Sequence, residues 1–433
     1  MALDVRAAAA GIIGDVIGGL SLNQALPAGL ERVGERDRGL LQQLCYGTLR
    51  QAPRLQALLE QLLDKPLRDK DRDLHGLLLC GLYQLESTRV PDHAAVAATV
   101  GATLALKKPW AKGMANAVLR RYLREREQLT LSLDEAAAVG HPPWLYHKIT
   151  AQWPAAAAAI MDANNQQAPM TLRAHCRRVD RQDYLVSLQQ QGITATAGAL
   201  SPYAIQLTRP MDVWALPGFA AGQVSVQDEA AQIAALILQV GAGERVLDAC
   251  AAPGGKACHI LELQPAVAEL VAMDRDAVRL KKVSENLQRL GLAATLLVGD
   301  AAHPPAQLAQ CSFDRILVDA PCSASGVMRR HPDVKLLRRE RDIAQLAEQQ
   351  HAILTGLWPL LKPGGTLLYA TCSILDEENS QVISRFLGEA PDAQLVSADV
   401  PWGESVTCGR QLLPSVDGPD GLFYAVLRKA VSV

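Results

Sequence analysis

Two cysteines stand just past what read as the ends of buried strands. Cys322 lies in Asp319-Ala320-Pro321-Cys322-Ser323, and Cys372 lies in Tyr369-Ala370-Thr371-Cys372-Ser373. The thiolate is the reactive form of cysteine, and its neighbours decide how readily it forms. A thiolate can add to the electron-poor carbon 6 of cytosine. Carbon 5 then behaves like an enamine carbon and attacks a sulfonium methyl, after which a base must take the carbon-5 proton so that the thiol can leave. That scheme needs an activated cysteine, an acidic group near the ring edge and a second group for release. Asp319, Cys322 and Cys372 are candidates for these parts, and residue chemistry alone leaves open which cysteine attacks. A single strand-end cysteine is as readily a small buried apolar residue. Cys45, Cys80, Cys250, Cys258 and Cys311 are expected to belong to that class.

Upstream lies a glycine turn, Asp248-Ala-Cys-Ala-Ala-Pro-Gly-Gly-Lys256. Pro253-Gly254-Gly255 allows close approach of a ligand to the backbone and opens a helix at about Lys256. A phosphate loop would need Gly at 250 and Ser or Thr at 257, where Cys250 and Ala257 stand. Four expected strands end in Asp248, Asp274, Asp300 and Asp319, and a fifth ends at Cys372. Ligands of open α/β sheets bind outside the carboxyl ends of strands, so these side chains should converge on one crevice. Any one such Asp could be an ordinary turn-former or helix cap. Asp274 is placed to accept hydrogen bonds from ribose hydroxyls. Dinucleotide and methyl-donor sites share that logic, so the turn alone leaves NAD open; the strand-end cysteines decide against it.

The elements that must hold these residues fall into three parts. Residues 1–140 show helical spacing throughout. Leu40, Leu41, Leu44, Cys45, Thr48 and Leu49 share a face, as do Leu74, Leu77, Leu78, Leu82 and Leu85, and Val118, Leu119, Tyr122 and Leu123. Pro27, Pro53, Pro66, Pro91 and Pro109 are expected at helix starts or stops. His141-Pro142-Pro143-Trp144 marks a boundary. Residues 145–225 read as a small α+β module, with a helix over Leu145–Asp162 and strands at Met170–Ala174 and Ala204–Leu207. Residues 226–433 alternate strand and helix, with strands at Arg245–Asp248, Glu269–Asp274, Ala294–Asp300, Asp314–Asp319 and Gly365–Cys372. A helix carrying Leu280, Val283, Leu287 and Leu290 should stop at Gly291. This alternation predicts a parallel, Rossmann-like sheet flanked by helices, with a closing hairpin near Leu422–Leu427.

Composition narrows the class. A hydrophobic share of 49% with 20% charged residues is that of a soluble globular chain. No apolar run reaches the roughly 18 residues of a membrane span, and the apolar N-terminal stretch reads as a first helix. Nine scattered cysteines without a Cys-x-x-Cys pair predict no disulfide framework and no metal site, and fit a reducing cytoplasm. Residues 1–130 hold 18 Lys+Arg against 14 Asp+Glu, a surplus of four, whereas the whole chain carries −2. The most basic stretch contains Lys107, Lys108, Lys112, Arg120, Arg121, Arg124 and Arg126. It is either a solvated helix face or a surface for nucleic acid phosphates.

At these motifs the chain closely resembles the Nop2/Sun family of RNA 5-methylcytosine methyltransferases. The resemblance spans nearly its whole length. Gly47-Thr48-Leu49-Arg50, Leu82-Tyr83-Gln84-Leu85 and Asn116-Ala117-Val118-Leu119-Arg120 are similar to the NusB-type helical RNA-binding fold. Thr171-Leu172-Arg173, Leu216-Pro217-Gly218-Phe219, Val226-Gln227-Asp228, Arg329-Arg330-His331-Pro332-Asp333 and Asp376-Glu377-Glu378-Asn379 match as well. Ala257 and Cys258 depart from a more polar continuation of the glycine turn, and His175 occupies a site often Asn.

The resemblance implies that Cys372 is the nucleophile and that Cys322 assists product release. It implies an S-adenosylmethionine site formed by Ala251, Ala252, Pro253, Gly254, Gly255, Lys256 and Ala257 with Asp274, Asp300 and Asp319. It also implies a cytosine of 16S ribosomal RNA as target, the one numbered 967, in naked RNA or in a small-subunit assembly intermediate. Lys107, Lys108, Lys112, Arg120, Arg121 and Arg124, with a basic loop at Arg329 and Arg330, are expected to hold the RNA backbone. A monomer is expected. The rival readings are a non-catalytic RNA-binding factor and a DNA cytosine methyltransferase in which Cys322 attacks.

Overall fold

Helical periodicity is realised first. In this computed structural model, which describes residues 3–309, 313–396 and 400–431, the chain divides into two compact units. One comprises residues 1–167 with 328–340, the other residues 168–327 with 341–433.

The first unit is all helical. Its helices span Val5–Ile17, Leu22–Arg32, Arg38–Arg50, Ala52–Leu62, Arg72–Ser87, Asp92–Ala105 and Lys112–Leu131, followed by three shorter ones that end at Asn165. The expected stripes are its core: Leu41, Leu44, Cys45, Leu49, Leu74, Leu78, Leu82 and Leu119 are buried. Asp4 starts the first helix by accepting from the amides of Arg6 and Ala7.

Two expectations are corrected here. Pro27 lies inside its helix rather than at an end. The hydrogen bond it forfeits is tolerated because Ser21 and Gln24 form a capping box and Leu22, Ala25 and Leu26 are buried. The helix expected over Leu145–Asp162 is two helices, Pro143–Gln152 and Ala157–Asn165. Pro154 disfavours helical geometry at Trp153 and separates them. By compactness both group with the first unit.

Residues 328–340 also belong to the first unit. Arg50 donates to the Arg329 carbonyl through Nε and Nη2, and the Leu22 amide donates to Asp333 Oδ2. Lys335 is buried, and its Nζ donates to the carbonyls of Arg50 and Gly140 and to Asn165 Oδ1. Burial and the neighbouring Arg50 hold that ammonium well below the usual lysine range.

The second unit opens with a four-stranded antiparallel sheet in the order β2-β3-β1-β4. Its strands are β1 (Met170–Ala174), β2 (Ala195–Ala197), β3 (Ala204–Leu207) and β4 (Val224–Val226). Strands β2 and β4 have three residues each, too few to show an alternation in the sequence. The larger sheet begins with β5 (Arg245–Asp248), β6 (Glu269–Asp274), β7 (Thr295–Val298), β8 (Phe313–Asp319) and β9 (Leu361–Thr371). It continues with β10 (Ala393–Val396), β11 (Glu404–Val406), β12 (Gly409–Leu412) and β13 (Leu422–Lys429).

The order in this sheet is β11-β12-β13-β9-β8-β5-β6-β7, with β10 paired to β13. Strands β9, β8, β5, β6 and β7 are parallel, and β13 runs antiparallel to β9. Val246, Leu247, Ala272, Ile316, Leu317 and Leu368 are buried, as strands covered on both faces require. After β5 the chain builds β6 and β7 on one side, then returns to place β8 and β9 on the other. That reversal opens a crevice at the carboxyl ends of β5 and β8. Among the described residues no helix is long and apolar enough to cross a membrane.

Candidate active site

The cofactor turn leaves the end of β5. Gly254 has φ +101 and caps the helix Gly255–Leu263. A side chain there would meet the Val283 Cα at 3.1 Å, so glycine serves both the left-handed conformation and the close helix contact. Asp274, at the end of β6, is buried and fastens the turn: Oδ2 accepts from the Ala252 amide at 3.1 Å, and Oδ1 from the Asp276 amide at 3.0 Å. Arg279 Nη2 donates to the Ala252 carbonyl.

Asp248 is 1% exposed, and neither carboxylate oxygen makes a well-formed hydrogen bond. Burial and the nearby Asp319, opposed by Lys256, push its carboxyl up to about 7. A buried carboxylate in this state fits a ligand that brings positive charge. S-adenosylmethionine does so, through its ammonium and sulfonium groups.

The two strand-end cysteines meet. The Ala320 amide donates to the Ala370 carbonyl and keeps the exits of β8 and β9 in step. Cys322 Sγ lies 3.2 Å from Cys372 Sγ. Cys322 is buried and Cys372 is partly exposed. The hydrogen bond to Cys372, then burial, then the charges of Cys372 and Glu378 hold the Cys322 thiol well above the usual range. Lys256 Nζ lies 2.5 Å from Asp319 Oδ2. Burial disfavours that ammonium, but Asp319 and Cys372 outweigh burial and raise it above the ordinary lysine value. The arrangement is a cation beside one thiol and a proton kept on the other.

The remaining expected residues are spread more widely. Ala251, Ala252 and Ala257 are buried and Pro253 is exposed. Asp300 is at the rim, accepting from the Ala302 amide and lying 3.4 Å from His303 Nδ1. Cys45, Cys80 and Cys258 are buried as expected, Cys250 is intermediate, and Cys311 lies outside the described residues.

On the helical unit Lys107, Lys112, Arg120 and Arg124 are not buried. Lys108 is tied to Asp71 and Asp73, and Arg121 to Glu125. The basic loop is corrected. Arg329 is fully buried and Arg330 half-buried, because residues 328–340 are anchored within the first unit. Arg329 therefore does not present its charge at a surface.

Three buried charged groups were given no role from the sequence. Glu378 is fully buried beside both cysteine loops. Arg173 pairs with Glu262, both 1% exposed in their side chains, and donates to the Gly255 carbonyl at the cofactor helix. Lys335 is the third. Arg173 and Glu378 did carry a signal, since each lies in a motif that matches the family, and Arg173 is also a lone charge in the otherwise uncharged run Met170–Ala174.

Comparison with known proteins identifies the family of each part of the chain. Residues 4–124 match the NusB family, and residues 141–214 match the ferredoxin-like domain of RsmF/B-like methyltransferases. Residues 235–428 match the 16S rRNA methyltransferase RsmB/F family. Ribosomal RNA small subunit methyltransferase B of Vibrio cholerae is 49% identical over 99% of this chain and 98% of its own. Its counterpart in Pseudomonas putida is 50% identical over 99% of each. The chain belongs to the RsmB/F methyltransferase family.

Among solved structures, PH0851 shares the fold over 99% of this RsmB/F chain and 100% of its own, with TM-score 0.82 and 22% identity. A methyltransferase homolog from Pyrococcus horikoshii matches 67% of this chain and 96% of its own, with TM-score 0.59 and 28% identity. S-adenosylmethionine is the cofactor of this RsmB/F chain, and it supplies an electrophilic methyl group. Asp248, Asp274 and the backbone of residues 251–256 are the groups suited to hold it.

Proposed function

We propose that this chain methylates carbon 5 of a cytosine in small-subunit ribosomal RNA, with Cys372 as nucleophile. The observation that carries the reading is the 3.2 Å approach of Cys322 Sγ to Cys372 Sγ beside the Lys256–Asp319 ion pair. Lys256 supplies a positive charge in the neighbourhood of Cys372. That thiolate bonds carbon 6 of the ring, and the electron pair released at carbon 5 takes up the methyl group. Asp319 would hold the ring edge. The carbon-5 proton then passes to a base such as water, and Cys322, as the protonated thiol beside Cys372, assists release. The electrons of that C–H bond restore the ring double bond and expel Cys372 as thiolate.

The base must leave its stack to reach the partly exposed Cys372. The solvent-facing Lys107, Lys112, Arg120 and Arg124 suit contact with the RNA backbone. Similarity over 99% of the chain to small-subunit ribosomal RNA methyltransferases supports ribosomal RNA of the small subunit, or its assembly intermediate, as substrate; cytosine 967 and the cytoplasm are the finer expectations that the family resemblance carries.

Trapping with RNA containing 5-fluorocytosine, in the presence of S-adenosylmethionine, tests this reading. Wild-type and Cys322→Ala protein should form a covalent adduct, and Cys372→Ala should not. An adduct lost only with Cys322→Ala would reverse the two roles. Absence of an adduct with any RNA would favour a non-catalytic binding factor.

A further inference from the structure

One carboxylate links both cysteine loops. Glu378 is fully buried, and its Oε1 accepts from the Ser323 amide at 2.8 Å and from Gln350 Nε2 at 3.0 Å. Its Oε2 accepts from the Ser323 hydroxyl at 2.5 Å and the Ser373 hydroxyl at 2.6 Å. Ser323 and Ser373 each follow one of the two cysteines. Four donors on one buried anion satisfy its desolvation and make it costly to displace.

We infer that Glu378 is a positioning residue, which locks the loop after β8 to the loop after β9 and thereby sets the approach of Cys322 to Cys372. The inference rests on the catalytic reading above, although the geometry it explains does not. Other bonds link the loops: Ser325 Oγ lies 2.9 Å from Ser373 Oγ, the Ile374 amide donates to Ser325 Oγ, and the Gly326 amide donates to the Cys372 carbonyl. Upstream, the Ala320 amide donates to the Ala370 carbonyl, and Ser323 Oγ itself lies 3.3 Å from Ser373 Oγ. Glu378 also grips the Ser323 amide, the backbone group next to Cys322. Ala324 then takes φ +63, a left-handed turn for a residue with a side chain, and such conformations persist where the surroundings hold them. The charge of Glu378 also opposes ionisation of the Cys322 thiol.

The test reads sulfur geometry directly. Diamide oxidises two adjacent thiols to a disulfide and is itself reduced to the hydrazine, so its rate of joining Cys322 to Cys372, followed by peptide mass, reports their approach. In the full-length chain Glu378→Ala should slow this joining about tenfold or more and lower kcat by about as much. KM for RNA and the affinity for S-adenosylmethionine should stay within about threefold. Glu378→Gln keeps an acceptor for the Ser323 amide and a group that can pair with both hydroxyls, so it should restore joining to within about threefold of wild type.

Should Glu378→Ala not fold, Ser323→Ala with Ser373→Ala removes two of the four links and should show the same slowing. Unchanged joining in a folded Ala or double-Ser variant would overturn the inference. So would a folded Gln variant as slow as Ala, since charge alone would then explain the effect. Joining that depends on Glu378 in a protein that forms no RNA adduct would uphold the geometry and reject the catalytic reading instead.

Discussion

Lys256 Nζ stands 2.5 Å from Asp319 Oδ2, an ion pair between the first turn of the cofactor helix and the end of β8. The same ammonium interacts with the Cys372 sulfur. Lys256→Met would leave Asp319 without its counter-ion next to the already crowded Asp248. It would also remove the positive charge from the neighbourhood of Cys372. Adduct formation should slow by about 10²-fold, measured by quenched-flow trapping on 5-fluorocytosine RNA. A rate within a factor of about two of wild type would remove Lys256 from the activation of the nucleophile.

Asp248 gives a pH signature. Its folded value of about 7 lies above the ordinary carboxyl value of about 3.9. The folded chain therefore holds this proton more tightly than the unfolded chain. The associated stability is complete below the unfolded value and is lost as pH rises through about 7. Asp248→Asn should accordingly stabilise the protein relative to wild type at about pH 8 and much less at about pH 4, read from denaturant midpoints. A cationic ligand draws Asp248 into its ionised form, so the affinity for S-adenosylmethionine should rise from about pH 6 to about pH 8 in wild type. Titration calorimetry should find that rise reduced in the Asn variant; an unchanged pH profile would remove Asp248 from the cofactor contact.

Arg173 and Glu262 make two charge-assisted bonds inside the second unit, and Arg173 also reaches the Gly255 carbonyl. Removing either partner leaves a buried charge. Arg173→Met or Glu262→Met alone should cost about 3–5 kcal/mol in urea unfolding, and the double substitution less than the sum of the singles. Strict additivity would show that the pair does not act as a unit.

The solvent-facing cations of the helical unit should act through the charge of the RNA backbone. Replacing Lys112, Arg120 and Arg124 together by Ala should weaken RNA binding at low salt. It should also reduce the slope of log affinity against log salt by about 0.7–0.9 for each phosphate that is no longer neutralised. Filter binding across a salt series measures this. A slope equal to that of wild type would identify the stretch as an ordinary solvated helix face.

The legible part of the fold was the part with a repeating pattern. Strands β1, β3, β5 and β6 lie where alternation or short apolar runs placed them, because each buries its side chains within one element. The convergence of Asp248, Asp274 and Cys372 on one end of a sheet followed from their positions at strand ends. What stayed hidden depended on distant partners. Glu377 and Glu378 are the same residue type, yet only Glu378 turns fully inward, where it meets Ser323, Ser373 and Gln350. Arg329 reads as surface charge until residues 328–340 are seen to join a unit that begins some 300 residues earlier.

That excursion makes the two units inseparable by a single cut. The polypeptide passes from one to the other at residue 167, again at residue 327 and back at residue 340. Residues 168–433 expressed alone would carry Arg329, Asp333 and Lys335 without Arg50, Leu22, Gly140 and Asn165, their hydrogen-bond partners. An apparently detachable helical head is thus completed by a segment borrowed from the far half of the chain, and a truncation at the obvious border would orphan an ammonium and a carboxylate in the piece that remains.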